Sequence, residues 1–420
     1  MGVLKVVGDL VLSKDVFRLF EAELAWYELV VGLGCPDRTD FSLLNRVFMT
    51  EYNPDWVGKW SSYIGLMLHD KGVQTTFKQE LSDRHDHLIE VKDNVSAHLI
   101  YPFKGRMIPR TASALLNIVL GPPDGKPKTI LDPMCGSGTV LVEAILKGGD
   151  RIDEIYGVEL VPYYAYIAEA KTQAALGYRP EVLSKEEVDR YTVDWESGNK
   201  ITNVVMAYGQ FLSERTRKSK VAKRLQLIDE AVTITQELKQ KWDIKPPTHV
   251  EIFGGYSATQ LPFGPECIDG IVFSPPYSLA LNYQEVNPIP RDFPRHHSRT
   301  HQVDGADLDT YRLLMTQVYR ECYRVLRKGG RAAIIIGNQT KKGQVIDNVG
   351  WSINILNKLG FNIMLVIAED IMKAMRIGKD YIIIVEKPRS SDEYIEYQGR
   401  WSREGGVIEI DGGKLEQHLE

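Results

Sequence analysis

From Thr129 onward the chain alternates short β-branched runs with amphipathic stretches, and no other feature restricts the fold as tightly. Apolar runs of strand length that alternate with helical segments are the sequence signature of a doubly wound α/β sheet. Strands are expected at "TILDPM" (129–134), "EIYGVEL" (154–160), "HVEIFG" (249–254), "IDGIVFS" (268–274), "RAAIIIG" (331–337), "FNIMLVIAE" (361–369) and "YIIIVEK" (381–387). Helices are expected near 138–148, 162–176, 308–327 and 348–359, the last stopped by Gly360. The final two strands leave no room for a crossover helix, so they should pair antiparallel at one end of an otherwise parallel sheet. The expected fold class is therefore α/β, a Rossmann-like sheet of seven strands, mostly parallel with the last strand antiparallel.

Three regions stand outside that alternation. Residues 1–95 carry "FRLFEAELAWYELVVGL" together with Trp26, Trp56 and Trp60, and read as a mainly helical N-terminal region. Residues 180–245 are helical and polar and interrupt the sheet after its second strand, and residues 391–420 form an acidic tail. The sheet domain proper is expected over 96–390. No run of about 18 apolar residues and no signal-peptide pattern occurs, so a cytoplasmic protein without a membrane span is expected. The cysteines, Cys35, Cys135, Cys267 and Cys322, form no C-x-x-C pair, which argues against a zinc site and a disulfide framework. A net charge of −5 excludes a uniformly basic protein but not a local basic face.

The stretch "LDPMCGSGT" (131–139) ends a strand and opens a helix, with Gly136 and Gly138 where a backbone must turn tightly against a ligand. A short G-x-G alone is equally the mark of a plain strand-to-helix turn. Two carboxylates add to it: Asp132 at the strand tip, and Glu159 at the end of the next strand, where an acidic side chain accepts from ribose hydroxyls. An adenosine-containing cofactor is expected. The loop lacks G-K-[ST], which disfavours a P-loop, and Asp132 would repel a pyrophosphate but attract the ammonium and sulfonium of S-adenosylmethionine.

A second stretch, "VFSPPYSLALNY" (272–283), ends a buried strand in Ser274-Pro275-Pro276-Tyr277. Neither proline can continue a ladder, so a rigid loop is set at the carboxyl end of the strand. Together, Leu131–Thr139, Glu159 and Ser274–Tyr277 resemble the S-adenosylmethionine-dependent amino-methyltransferases of DNA, over roughly residues 98–387. The Ser-Pro-Pro-Tyr version is similar to the cytosine-N4 branch. "HLIYPFKGRMIPR" (98–110) looks like the segment that closes over the methionine end of the cofactor in that family. The resemblance implies cofactor contacts from Phe103, Asp132, Pro133, Cys135, Gly136, Ser137, Gly138, Thr139, Glu159 and Leu160, with Ser257 standing where the family often has an acidic residue for adenine. It implies a catalytic loop of Ser274, Pro275, Pro276 and Tyr277. The Ser274 hydroxyl and the Pro275 carbonyl would accept the two hydrogens of an exocyclic amine, and Tyr277 would stack on an extruded base. Cys135 and Cys267 do not lie in a Pro-Cys loop, so no covalent cysteine intermediate is expected.

Nucleic acid is expected along "NPIPRDFPRHHSRTHQ" (287–302) through Arg291, Arg295 and Arg299, and along "SERTRKSKVAKR" (213–224) through Arg215, Arg217, Lys218 and Lys220. Both segments read equally as solvated surface. His296, His297 and His301 lack helix spacing and an accompanying Glu pair, so no metal is expected. The function expected on these grounds is methylation of cytosine N4 in DNA, in a restriction-modification context with a cognate endonuclease as partner. The alternatives are an RNA base amino-methyltransferase, a DNA adenine-N6 enzyme and a cofactor-responsive nucleic-acid-binding subunit without activity.

Overall fold

The structure is a computed structural model that describes residues 5–16, 18–37, 39–42, 45–70, 72–88, 95–209, 214–276, 283–294, 307–341, 344–369 and 380–395. The N-terminal region holds strands β1 (Val6–Leu12), β2 (Asp40–Ser42), β3 (Val47–Tyr52), β4 (Ile64–His69) and β5 (Gly72–Thr75), in the order β2-β3-β1-β4-β5 and antiparallel throughout. Helices α1 (Leu19–Tyr27), α2 (Pro54–Trp60) and α3 (Phe77–His85) accompany it. The expectation of a mainly helical region is thus corrected to an α+β one. Alternation decides it: Leu10 and Leu12 of β1 and Phe48 and Tyr52 of β3 are buried at even spacing, and Met67 and Ile64 of β4 stand opposite Leu10 and Leu12 across a register shift.

The main sheet follows the expected alternation closely. Its strands are β6 (Lys128–Asp132), β7 (Ile152–Glu159), β8 (His249–Gly254), β9 (Ile268–Phe273), β10 (Leu326–Gly337), β13 (Asn362–Glu369) and β14 (Asp380–Glu386), in the order β13-β14-β10-β9-β6-β7-β8. A short antiparallel hairpin, β11 (Gln339–Lys341) and β12 (Gln344–Ile346), follows β10. Strands β6 to β10 run parallel; β14 pairs antiparallel with both β10 and β13. Helices α4 (Pro109–Leu120), α5 (Thr139–Lys147), α6 (Pro162–Leu176), α10 (Leu308–Val325) and α11 (Asn348–Lys358) cover its faces.

The insertion between β7 and β8 forms α7 (Lys185–Arg190), α8 (Lys200–Gly209) and α9 (Glu214–Lys241). It is helical as expected, yet it is only half polar: Val221, Leu225, Ile228, Val232 and Leu238 of α9 are buried, against α3 of the N-terminal region among others. A buried cluster around Glu143 fastens the N-terminal region to α5. Lys78 Nζ donates to both oxygens of Glu143 at 2.9 and 2.7 Å, and His98 Nε2 lies 3.0 Å from Glu143 Oε1. Burial alone would raise the Glu143 carboxyl, but Lys78, with His98, holds it at about 2. Burial pushes His98 down to about 3, so it is neutral at pH 7 and donates Nε2–H to the carboxylate. Among the described residues no helix is long and apolar enough to cross a membrane.

Candidate active site

The chain reverses direction across the sheet between β6 and β9, which are neighbours in parallel register (Leu131 beside Ile271). Open α/β sheets bind ligands at that switch point, beyond the carboxyl ends of the strands. The two motifs lie there side by side, Asp132 ending β6 and Ser274 following β9.

A cavity at this edge is lined by ten of the eleven expected cofactor residues, Gly138 being the exception. Gly138 instead closes the turn at φ 76°, where an added Cβ would come within 2.9 Å of Ala168 Cβ. Gly136, at φ 51°, would point a Cβ at open space with only Phe103 Cε1 at 4.0 Å, so the loop backbone itself forms the wall. The loop is pinned by Cys135 N–H donating to Val158 O (3.0 Å) and by Gly136 N–H donating to Glu159 Oε2 (2.9 Å). Glu159 Oε1 accepts from Val161 N–H at 2.8 Å.

Asp132 is buried at 4% exposure and accepts from Met134 N–H at 3.0 Å. Burial, with Glu159 nearby, pushes its carboxyl up to about 8. A raised acid favours the folded state below its unfolded value near 3.8, and that contribution is lost as pH rises toward 8. Burial likewise pushes the Cys135 thiol far above its ordinary range, so it is no nucleophile.

Ser274 and Pro276 line the same cavity, and Pro275 is buried behind them. Ser274 Oγ–H donates to Ile335 O at 3.2 Å. Its hydrogen is thus committed to β10 and its oxygen remains an acceptor, which is the role an amine hydrogen requires. Ser257 also lines the cavity, where its Oγ accepts from Thr259 N–H at 3.2 Å. Sequence reasoning missed Arg106 and Tyr164 of the lining. Tyr164 follows Glu159 in the first turn of α6 and meets Phe103 edge-on at 5.0 Å. The aromatic pair "YY" after a strand-end acid was the available signal.

Tyr277, Arg295, Arg299 and the three histidines lie outside the described residues, as do the side chains of Arg215, Arg217 and Lys218 on α9. Arg291 and Lys220 are exposed. Among the described residues, no group of three or more His, Cys, Asp or Glu is placed to hold a metal ion.

Residues 102–287, somewhat less than half of the chain, match the family model described as UPF0020, RMKL-like, methyltransferase domain. This stretch is a methyltransferase domain. Its cofactor is S-adenosylmethionine. The residues present fit that group: the methionine end is zwitterionic, the cavity offers Asp132 and Glu159 as carboxylates and Arg106 as a cation, and the buried Thr139 Oγ1 has no hydrogen-bond partner among the described residues. No curated protein matches the chain. Among solved structures, it is similar to the rRNA methyltransferase aviRa from Streptomyces viridochromogenes (14% identity, 72% of this chain and 94% of that one, TM-score 0.36). It is also similar to TrmN from Thermus thermophilus (18% identity, 77% and 56%, TM-score 0.31). Likeness at that level bears on neither substrate nor activity.

Proposed function

We propose that the protein transfers a methyl group from S-adenosylmethionine to an exocyclic amine of a nucleic-acid base, with RNA as the favoured polymer. The observation that carries this reading is the meeting of the glycine loop and the Ser-Pro-Pro strand end in one cavity at the β6–β9 switch point. The cofactor supplies an electrophilic methyl on a sulfonium. The protein's part is to orient and polarise the acceptor: Ser274 Oγ, with its own hydrogen held by Ile335 O, and the Pro275 carbonyl receive the two amine hydrogens and turn the nitrogen lone pair outward. Proline rigidity keeps both acceptors fixed before the base arrives.

RNA is favoured by the RMKL-like family model over residues 102–287. Cytosine N4 of DNA is the second reading, because Ser274 stands before the prolines and a Ser-Pro-Pro-Tyr loop is similar to that of the cytosine-N4 branch. The exposed Arg291, fifteen residues beyond Pro276, is a cation available to a backbone phosphate in either reading.

Ser274→Ala should reduce turnover on the methyl-accepting polymer about 100-fold and change S-adenosylmethionine affinity less than about threefold, as befits an acceptor needed mainly in the transition state. Single-turnover kinetics beside calorimetric titration checks this, and equal loss of both would move Ser274 from catalysis to cofactor binding. Proton linkage gives a second expectation. A ligand cation beside Asp132 favours the ionised carboxyl, so binding should release close to one proton near pH 7. Affinity should then rise with pH by up to about tenfold per unit below 8 and level off above it. Titrations in buffers of different ionisation enthalpy read that proton directly; none released between pH 6 and 8 would separate Asp132 from the cofactor's charges.

A further inference from the structure

Asn287 lies within the segment 283–294 that follows the Ser-Pro-Pro strand end, yet its contacts belong to the cofactor side of the cavity. Its side chain is 1% exposed and engages Lys104 twice: Oδ1 accepts from Lys104 N–H at 2.8 Å and Nδ2 donates to Lys104 O at 3.0 Å. An amide that pairs with both backbone groups of one residue imitates a strand partner, and it fixes both the spacing and the orientation of the two segments. The backbone of Asn287 is held as well, since Tyr164 O–H donates to Asn287 O at 2.9 Å.

One of these partners lines the cofactor cavity and the other adjoins residues that do. Lys104 sits between Phe103 and Gly105, which both line it; Tyr164 lines it and packs edge-on against Phe103. Six residues further on, Phe293 is buried among Tyr163, Tyr166 and Trp195, with ring centroids 5.1, 5.8 and 4.9 Å away, so the segment is anchored a second time on α6 and the insertion. The exposed Arg291 stands between the two anchors.

Resting on the proposed amino-methyltransferase reading, we propose that Asn287 is a positioning residue that makes the order of the segment 283–294 depend on occupancy of the cofactor cavity. A ligand packed against Phe103 and Tyr164 restrains Lys104 and the Tyr164 hydroxyl, and through them Asn287; the segment that presents Arg291 to a polyanion is then ordered before the polymer arrives. Cofactor-first binding is the functional consequence. Asn287 itself touches neither the methyl group nor the base.

Amide hydrogen exchange on the full chain, with and without S-adenosylhomocysteine, tests this. In the wild type the ligand should slow exchange in residues 283–294 as well as in 101–108. In Asn287→Ala the ligand should still bind within about fivefold and still protect 101–108, while the slowing in 283–294 falls by roughly 10- to 50-fold, as the loss of two buried hydrogen bonds implies. Asn287→Asp keeps the acceptor for Lys104 N–H, loses the donor, and should show an intermediate loss; it also serves if the alanine variant folds poorly. Protection of 283–294 that persists unchanged in both variants, or that is absent in the wild type while 101–108 is protected, overturns the proposal. Failure of the wild type to bind S-adenosylhomocysteine at all would instead strike the cofactor assignment.

Discussion

Gly136→Val should weaken S-adenosylmethionine binding by at least about 100-fold, while the protein remains folded. Gly136 holds φ 51°, where a β-branched residue is strained by about 1–2 kcal/mol, and its missing Cβ faces open space beside Phe103 instead of packed protein. The isopropyl group therefore enters the space the ligand needs, and the cost to the fold stays close to the backbone strain alone. Calorimetric titration with a parallel thermal melt separates the two effects. Binding retained within about fivefold would mean that the loop backbone does not touch the cofactor.

Lys78→Met should destabilise the protein by about 3–5 kcal/mol, because removal of one partner leaves a buried carboxylate facing only a neutral imidazole. The sign of the pH dependence is specific. In the wild type Glu143 has its carboxyl held down to about 2, so its contribution is present above its unfolded value near 4.5 and is lost as pH falls from there through 2. In the variant the same carboxyl gains by protonation, so the gap between variant and wild type should narrow from pH 7 to pH 5. Replacing the pair together, Lys78→Met with Glu143→Leu, should recover much of the loss. Chemical denaturation across that range checks both statements, and a deficit under 1 kcal/mol at pH 7 would show that the contact does not fasten the N-terminal region to α5.

Much of the main sheet was legible because its elements declare themselves locally. β8 begins and ends at the residues expected, and α6 likewise, since an unbroken β-branched run and a Pro-to-Gly helical stretch need no tertiary information. The antiparallel final pair followed from the length of its connection. The N-terminal sheet was missed for a physical reason. Its strands are half-exposed, with Asp9 and Glu51 on the wet face and Gly8 within β1, so the apolar segment 17–33 outweighed a period of two. The same limit separates the parts of the site. Asp132, Gly136, Glu159 and Ser274 stand in short motifs at strand ends, where the fold dictates what they meet. Asn287 meets Lys104 across 183 positions, and Lys78 meets Glu143 across 65, and neither carries a local pattern. The insertion misled by composition: the charges of α9 hide a buried face that only the position of α3 explains.

The most direct test of the account is transfer of labelled methyl from S-adenosylmethionine to total RNA and to duplex DNA, followed by digestion and mass identification of the nucleoside. A nucleoside methylated on an exocyclic amine is expected in RNA, and it should be lost in Ser274→Ala. The same modification as N4-methylcytosine in DNA would keep the chemistry and select the second substrate. Methyl on a ring carbon or a ribose oxygen, or transfer to neither polymer, would contradict it.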